Sequence, residues 1–170
     1  MERRKSVAAR LRDFAQAGEL GLVDHVGGDI AELVGIVARV SEAGLLPSKH
    51  GIGLDPAGIG SILDALTEAG IAEDQTIGVS QGWRLTGAIK TVERKLAEGT
   101  LVHGGSALMA WCVGNAKVEP RGNAILITKQ ASGTAKIDPL MALLNAAELI
   151  GRAPESSGDM ASFLDNPIIF

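Results

Sequence analysis

The chain has no tyrosine, and aromatic residues occupy only 3% of its 170 positions. Leucine, isoleucine, valine and alanine must therefore fill the core, without the large rings that dominate many interiors. A single cysteine, Cys112, excludes an internal disulfide and fits a reducing compartment. No apolar run approaches the roughly 20 residues of a membrane span, so no membrane association is expected. The start, Met1-Glu2-Arg3-Arg4-Lys5, lacks the apolar stretch of a secretory signal, which predicts a soluble, cytoplasmic protein. No Gly-Lys-Ser/Thr follows a glycine loop, so an ATP site of that type is excluded. His25, His50 and His103 fall in no H-E-x-x-H or paired-cysteine pattern, which argues against zinc. The net charge of −4 argues against nucleic-acid binding by bulk charge, though a grouped basic face stays open.

Apolar residues make up 46% of the chain and glycines number 22, the composition of one globular domain with many tight turns. Val7, Leu11 and Phe14 predict a first helix over about residues 3–17, and Leu20 to His25 reads as a short strand. Ile30, Leu33, Val34, Val37 and Val40 form one stripe of a helix capped by Asp29 and stopped at Gly44. Residues 50–55 follow as a buried strand, then a helix over 59–69, and Ile77 to Val79 as another strand. Thr86 opens a helix of about 87–98, and Leu101 to His103 is read as extended. Ser106 caps an apolar helix, a hairpin turns at Pro120-Arg121-Gly122-Asn123, and a long helix runs from Asp138 to Gly151. Strands alternating with helices imply an α/β fold with a largely parallel sheet and a late antiparallel element. Residues 1–151 are expected as the domain, with 152–170 as a mobile tail.

Two carboxylates sit where the chain changes element. Asp55 ends Ile52-Gly53-Leu54 just before Pro56, and Asp138 follows Lys136-Ile137 at the mouth of the last helix. Ligands gather at such ends. Paired carboxylates there can hold Mg²⁺ or Mn²⁺, and two such ions roughly 4 Å apart promote phosphodiester hydrolysis. A bland reading stands beside this one, because Asp before Pro or at a helix start is often a cap. Lys129, Lys136 and Arg121 are candidate phosphate contacts, with solvated side chains as the alternative. Trp83 and Trp111 are expected in the core rather than as base-stacking platforms. The basic cluster Arg3, Arg4, Lys5, Arg10 and Arg12 is expected as a solvated helix face.

Several ordered stretches carry a further signal: Ala17-Gly18-Glu19-Leu20, Gly28-Asp29-Ile30, Gly53-Leu54-Asp55-Pro56 and Gln81-Gly82-Trp83-Arg84-Leu85-Thr86 with Ala88-Ile89-Lys90. LAEGTLVHGGSALMAWCVGNAKV at 96–118 and KIDPLMALLNA at 136–146 complete the set. From about Phe14 to Ile150 the chain resembles the C-terminal nuclease domain of tailed-phage terminase large subunits. The resemblance implies an RNase H-like mixed sheet flanked by helices. It implies a metal-dependent endonuclease that cuts double-stranded viral DNA during packaging, in the cytoplasm of the bacterial host, with the portal as a packaging partner. Asp55 and Asp138 map to two of the metal ligands. The family's first catalytic strand, with its aspartate, and the upstream ATPase domain have no counterpart here, so a truncated domain with an incomplete two-metal site is expected. Glu119, Asp29 and Asp24 remain open as substitute carboxylates. His103 and Asn115 match family-like positions and are expected to hydrogen-bond structurally. The alternative function is a catalytically inactive prophage remnant that binds DNA or docks on a packaging partner.

Overall fold

The computed structural model describes residues 5–129, 135–153 and 155. Arg3, Arg4 and most of the expected tail lie outside them. The chain divides into two compact units, Met1–Leu22 with Gln81–Ala147 and Val23–Ser80 with Glu148–Phe170.

In the first unit, α1 (Lys5–Gln16) buries Val7 and Phe14, two turns apart on one face. The Phe14 ring meets Trp111 of α5 (Ala107–Gly114) at 5.6 Å between centroids, tilted by 44°. The helix α4 (Thr86–Ala97) buries Ala88, Ile89 and Val92, the spacing of a single apolar stripe. A hairpin follows α5, with β3 (Ala116–Arg121) antiparallel to β4 (Ala124–Lys129). Its turn is Gly122-Asn123, and Gly122 takes φ +58° at the first central position, which a side chain would strain. The Thr86 hydroxyl accepts from the Ile125 N–H at 3.1 Å and so ties the start of α4 to β4. Residues 135–137 then lead into α6 (Asp138–Gly151).

In the second unit, α2 (Gly28–Glu42) and α3 (Gly60–Glu68) cover a parallel pair, β1 (Ile52–Leu54) and β2 (Thr76–Gly78). Leu46, Leu66 and Ile71 form its buried centre, with Val34, Val37, Val40, Ile52, Leu54 and Ile62 packed around them. Gly53 faces Val79 and Leu149 so closely that an added Cβ would lie 2.8 Å from Val79 Cγ2 and 2.9 Å from Leu149 Cδ1. Val79 is fully buried and has no room to retreat. Gly53→Ala is therefore expected to cost about 2 kcal/mol through overpacking, read as a lower midpoint in chemical denaturation.

The α/β class stands, with the parallel and antiparallel pairings both present. The described strands pair as two separate two-stranded sheets. Two expected strands are corrected. Residues 20–25 and 101–103 are irregular, and Leu22, Val23 and Val102 are exposed instead of buried in a ladder. Asp29 is also not the cap of α2. Gly27 holds that position at φ +89°, and Asp29 sits in the first turn, where its charge favours the helix N-terminus.

Candidate functional site

Asp55 follows β1 directly, at the carboxyl end of a parallel strand, where open α/β sheets place their ligands. Its Oδ1 accepts the Ala57 N–H at 3.1 Å, an Asx turn that pins the carboxylate. Oδ2 accepts no hydrogen bond among the described residues, and the side chain is exposed. Pro56 follows, fixes its own φ, and keeps the strand from continuing.

Asp138 opens α6 in the other unit and is also exposed. The segment before it is anchored on three counts. Ala135 and Ile137 are buried, and the Asn115 side-chain amide donates to the Lys136 carbonyl at 3.0 Å. The Ile137 carbonyl accepts the Met141 N–H at 3.0 Å and starts the helix. Asp138 is thus presented from a fixed backbone, and its charge is felt nearby. Burial pushes the Cys112 thiol up first, and the Asp138 carboxylate pushes it further. Cys112 is fully buried and stays protonated, the inert core residue its apolar helix suggests.

Two of the expected phosphate contacts, Arg121 and Lys129, lie apart on the hairpin. Arg121 ends β3 at the hairpin tip, while Lys129 ends β4 at the base, five residues along the ladder from the position opposite Arg121. At about 3.4 Å per residue that is roughly 17 Å, and strand alternation turns the two to opposite faces. Lys136 is half-buried beside Asp138. Glu119 is already engaged: its Oε1 meets the Lys117 ammonium at 3.3 Å and accepts the Thr128 hydroxyl at 3.2 Å. Those partners, Lys117 first, hold its carboxyl below the usual range. Asp24 and Asp29 are exposed in the second unit. Among the described residues no three of His, Cys, Asp and Glu gather as a metal-binding group.

His103 and Asn115 do bond structurally. His103 Nδ1 accepts the Gly105 N–H at 3.2 Å, and Asn115 anchors Lys136 as above. Trp111 packs against Phe14, with the Arg10 guanidinium 5.8 Å from its ring, so one member of the basic cluster has an aromatic partner. Trp83 is a correction. It is 60% exposed, because Leu85 takes the buried position of the short 3₁₀ turn Gly82–Leu85.

Sequence reasoning assigned no role to Glu19, which caps α5 from 87 to 89 residues away. Its carboxylate accepts the Leu108 N–H at 2.6 Å, the Ala107 N–H at 3.0 Å and the Ser106 hydroxyl at 3.0 Å. Ser106 Oγ accepts the Met109 N–H at 3.2 Å in turn, the cap its position predicts. The α5 amides, Leu108 foremost, hold the Glu19 carboxyl below its ordinary value. In the acid range the unfolded chain then binds more protons than the folded one. This contribution to stability is full above the ordinary glutamate range and is lost as pH falls through the lowered folded value. Glu19→Gln is expected to flatten the rise of Tm with pH across that window, with Glu119 supplying the slope that remains.

A family model for the terminase large subunit endonuclease domain matches residues 9–155, a span that includes both Asp55 and Asp138. The chain belongs to this family. The fold resembles the crystal structure of the HK97 bacteriophage large terminase, with a TM-score of 0.67 and 19% sequence identity. The likeness covers 86% of this chain and 30% of that one, so the chain spans less than a third of the HK97 protein's length. No curated protein matches. No described helix of this terminase-family chain is long and apolar enough to cross a membrane.

Proposed function

We propose that this chain is a divalent-metal endonuclease that cuts double-stranded DNA during viral packaging in the bacterial host cytoplasm. What supports the reading most is the family match across residues 9–155, which takes in two exposed aspartates at element ends. Oxygen donors suit Mg²⁺ or Mn²⁺, which keep several waters and need few protein carboxylates. Asp55 and Asp138 fit that donor set, since each offers carboxylate oxygen to solvent. Bound there, the ions would neutralise charge developing on the phosphate being cleaved.

The chain's own residues have separate tasks. The Ala57 N–H orients the Asp55 carboxylate, and Asn115 fixes the backbone that carries Asp138. Lys136, beside Asp138, contacts a phosphate near the cut. Lys129, at the base of the hairpin, does the same, and Arg121 contacts the DNA backbone from the hairpin tip. The packaging portal is the proposed protein partner. Plasmid nicking in Mn²⁺ tests the whole, and chelation with EDTA is expected to abolish it. A chain that neither cuts nor binds Mn²⁺ in calorimetry would instead be an inactive DNA-binding or docking module.

A further inference from the structure

Trp83 stands 60% exposed, with the Arg84 guanidinium 5.4 Å from its ring centroid. An exposed indole with a guanidinium beside it offers an apolar face and a positive charge at one place on the surface. The helix that follows extends the pattern. Ala88, Ile89 and Val92 mark the buried side of α4. At 100° per residue along α4, Lys90 and Arg94 fall on the side opposite this stripe, and both are exposed. The acidic residues of α4 and its C-cap are Glu93, at the margin of this side, and Glu98, whose Oε1 lies 3.9 Å from Arg94 Nε in a solvent-exposed pair. Exposed pairs of this kind contribute little and exchange readily for a phosphate partner.

We infer that Trp83, Arg84, Lys90 and Arg94 form a binding track for single-stranded DNA, with an unpaired base stacked on Trp83 and the backbone running along α4. Aromatic faces with flanking cations are the chemistry that holds single strands without reading sequence. Such cations matter more in a chain of net charge −4, where no bulk field attracts a polyanion. A duplex hides its base faces and cannot use the indole. The inference rests on the reading of the chain as a DNA-cutting protein, and it adds a place for a frayed or newly cut end.

The probe is a fluorescent oligothymidylate of about 20 nucleotides, titrated by anisotropy in EDTA so that binding is read without cleavage. Trp83→Ala is expected to weaken binding about tenfold, with a matched duplex affected far less. Lys90→Gln and Arg94→Gln are expected each to lower the salt slope by about 1. Tryptophan emission should be quenched on binding in the parent, and less so in Trp83→Ala. Unchanged affinity in Trp83→Ala overturns the inference, as does equal weakening for duplex, or failure of the parent to bind the oligonucleotide. Plasmid nicking by the same proteins reports separately on the nuclease reading. An exposed substitution leaves folding intact, and circular dichroism verifies that.

Discussion

Asp55→Asn and Asp138→Asn are each expected to lower plasmid cleavage in Mn²⁺ by at least about 100-fold, because each replaces an anionic oxygen donor by a neutral amide. The choice of asparagine separates chemistry from folding. At position 55 the amide oxygen still accepts the Ala57 N–H, so the turn after β1 survives and Tm should barely move. At position 138 the helix loses a favourable N-terminal charge, which costs about 0.5 kcal/mol at an exposed site. Neither effect on stability approaches what is needed to explain a hundredfold loss through unfolding. Calorimetric titration with Mn²⁺ should show weaker binding in both variants. Undiminished cleavage by the two variants would remove the proposed metal site from the mechanism.

How much of this was legible in the sequence depended on the range of the interactions. The hairpin was readable because Pro120-Arg121-Gly122-Asn123 dictates a turn from four adjacent residues. The helices were readable because an apolar stripe repeats within one element, as in Ala88, Ile89 and Val92. The Ser106 cap is equally local. Strands depend on partners elsewhere, and there the reading divided. Ile52–Leu54 and Thr76–Gly78 found each other, while Leu20 to His25 and Leu101 to His103 have the right composition and no ladder among the described residues. The Glu19 cap on α5 and the Gln81 amide donating to Asn145 at 3.0 Å, 64 residues apart, leave no periodic trace. Trp83 misled for a related reason. Its hydrophobicity argued for burial, but the 3₁₀ turn had one inward place and Leu85 occupies it.

Leu66→Ala is expected to destabilise the second unit substantially. Leu66 is 2% exposed at the centre of the second unit, against Leu46, Ile71 and the side chains of β1, Ile52 and Leu54. It also lies in the last turn of α3, where its carbonyl accepts the Ile71 N–H at 3.0 Å and brings the two side chains together beyond the helix end. Buried Leu→Ala changes cost about 2–5 kcal/mol, and the residual cavity decides where in that range a site falls. Here an open groove of about 410 Å³, lined by Leu54, Leu63, Leu66 and Ile71 among others, adjoins the residue. The space left by truncation joins that groove and fills with water, so the cost should sit near 2.5 kcal/mol rather than at the top of the range. Against a total stability of about 5–15 kcal/mol that is a large share, worth a drop in Tm of about 5–10 °C. Hydrogen exchange should place the loss of protection in α2, α3, β1 and β2, with the β3–β4 hairpin little changed. Because β1 delivers Asp55, the same substitution should lower cleavage well below the melting temperature, whereas an equal destabilisation made within the hairpin should not.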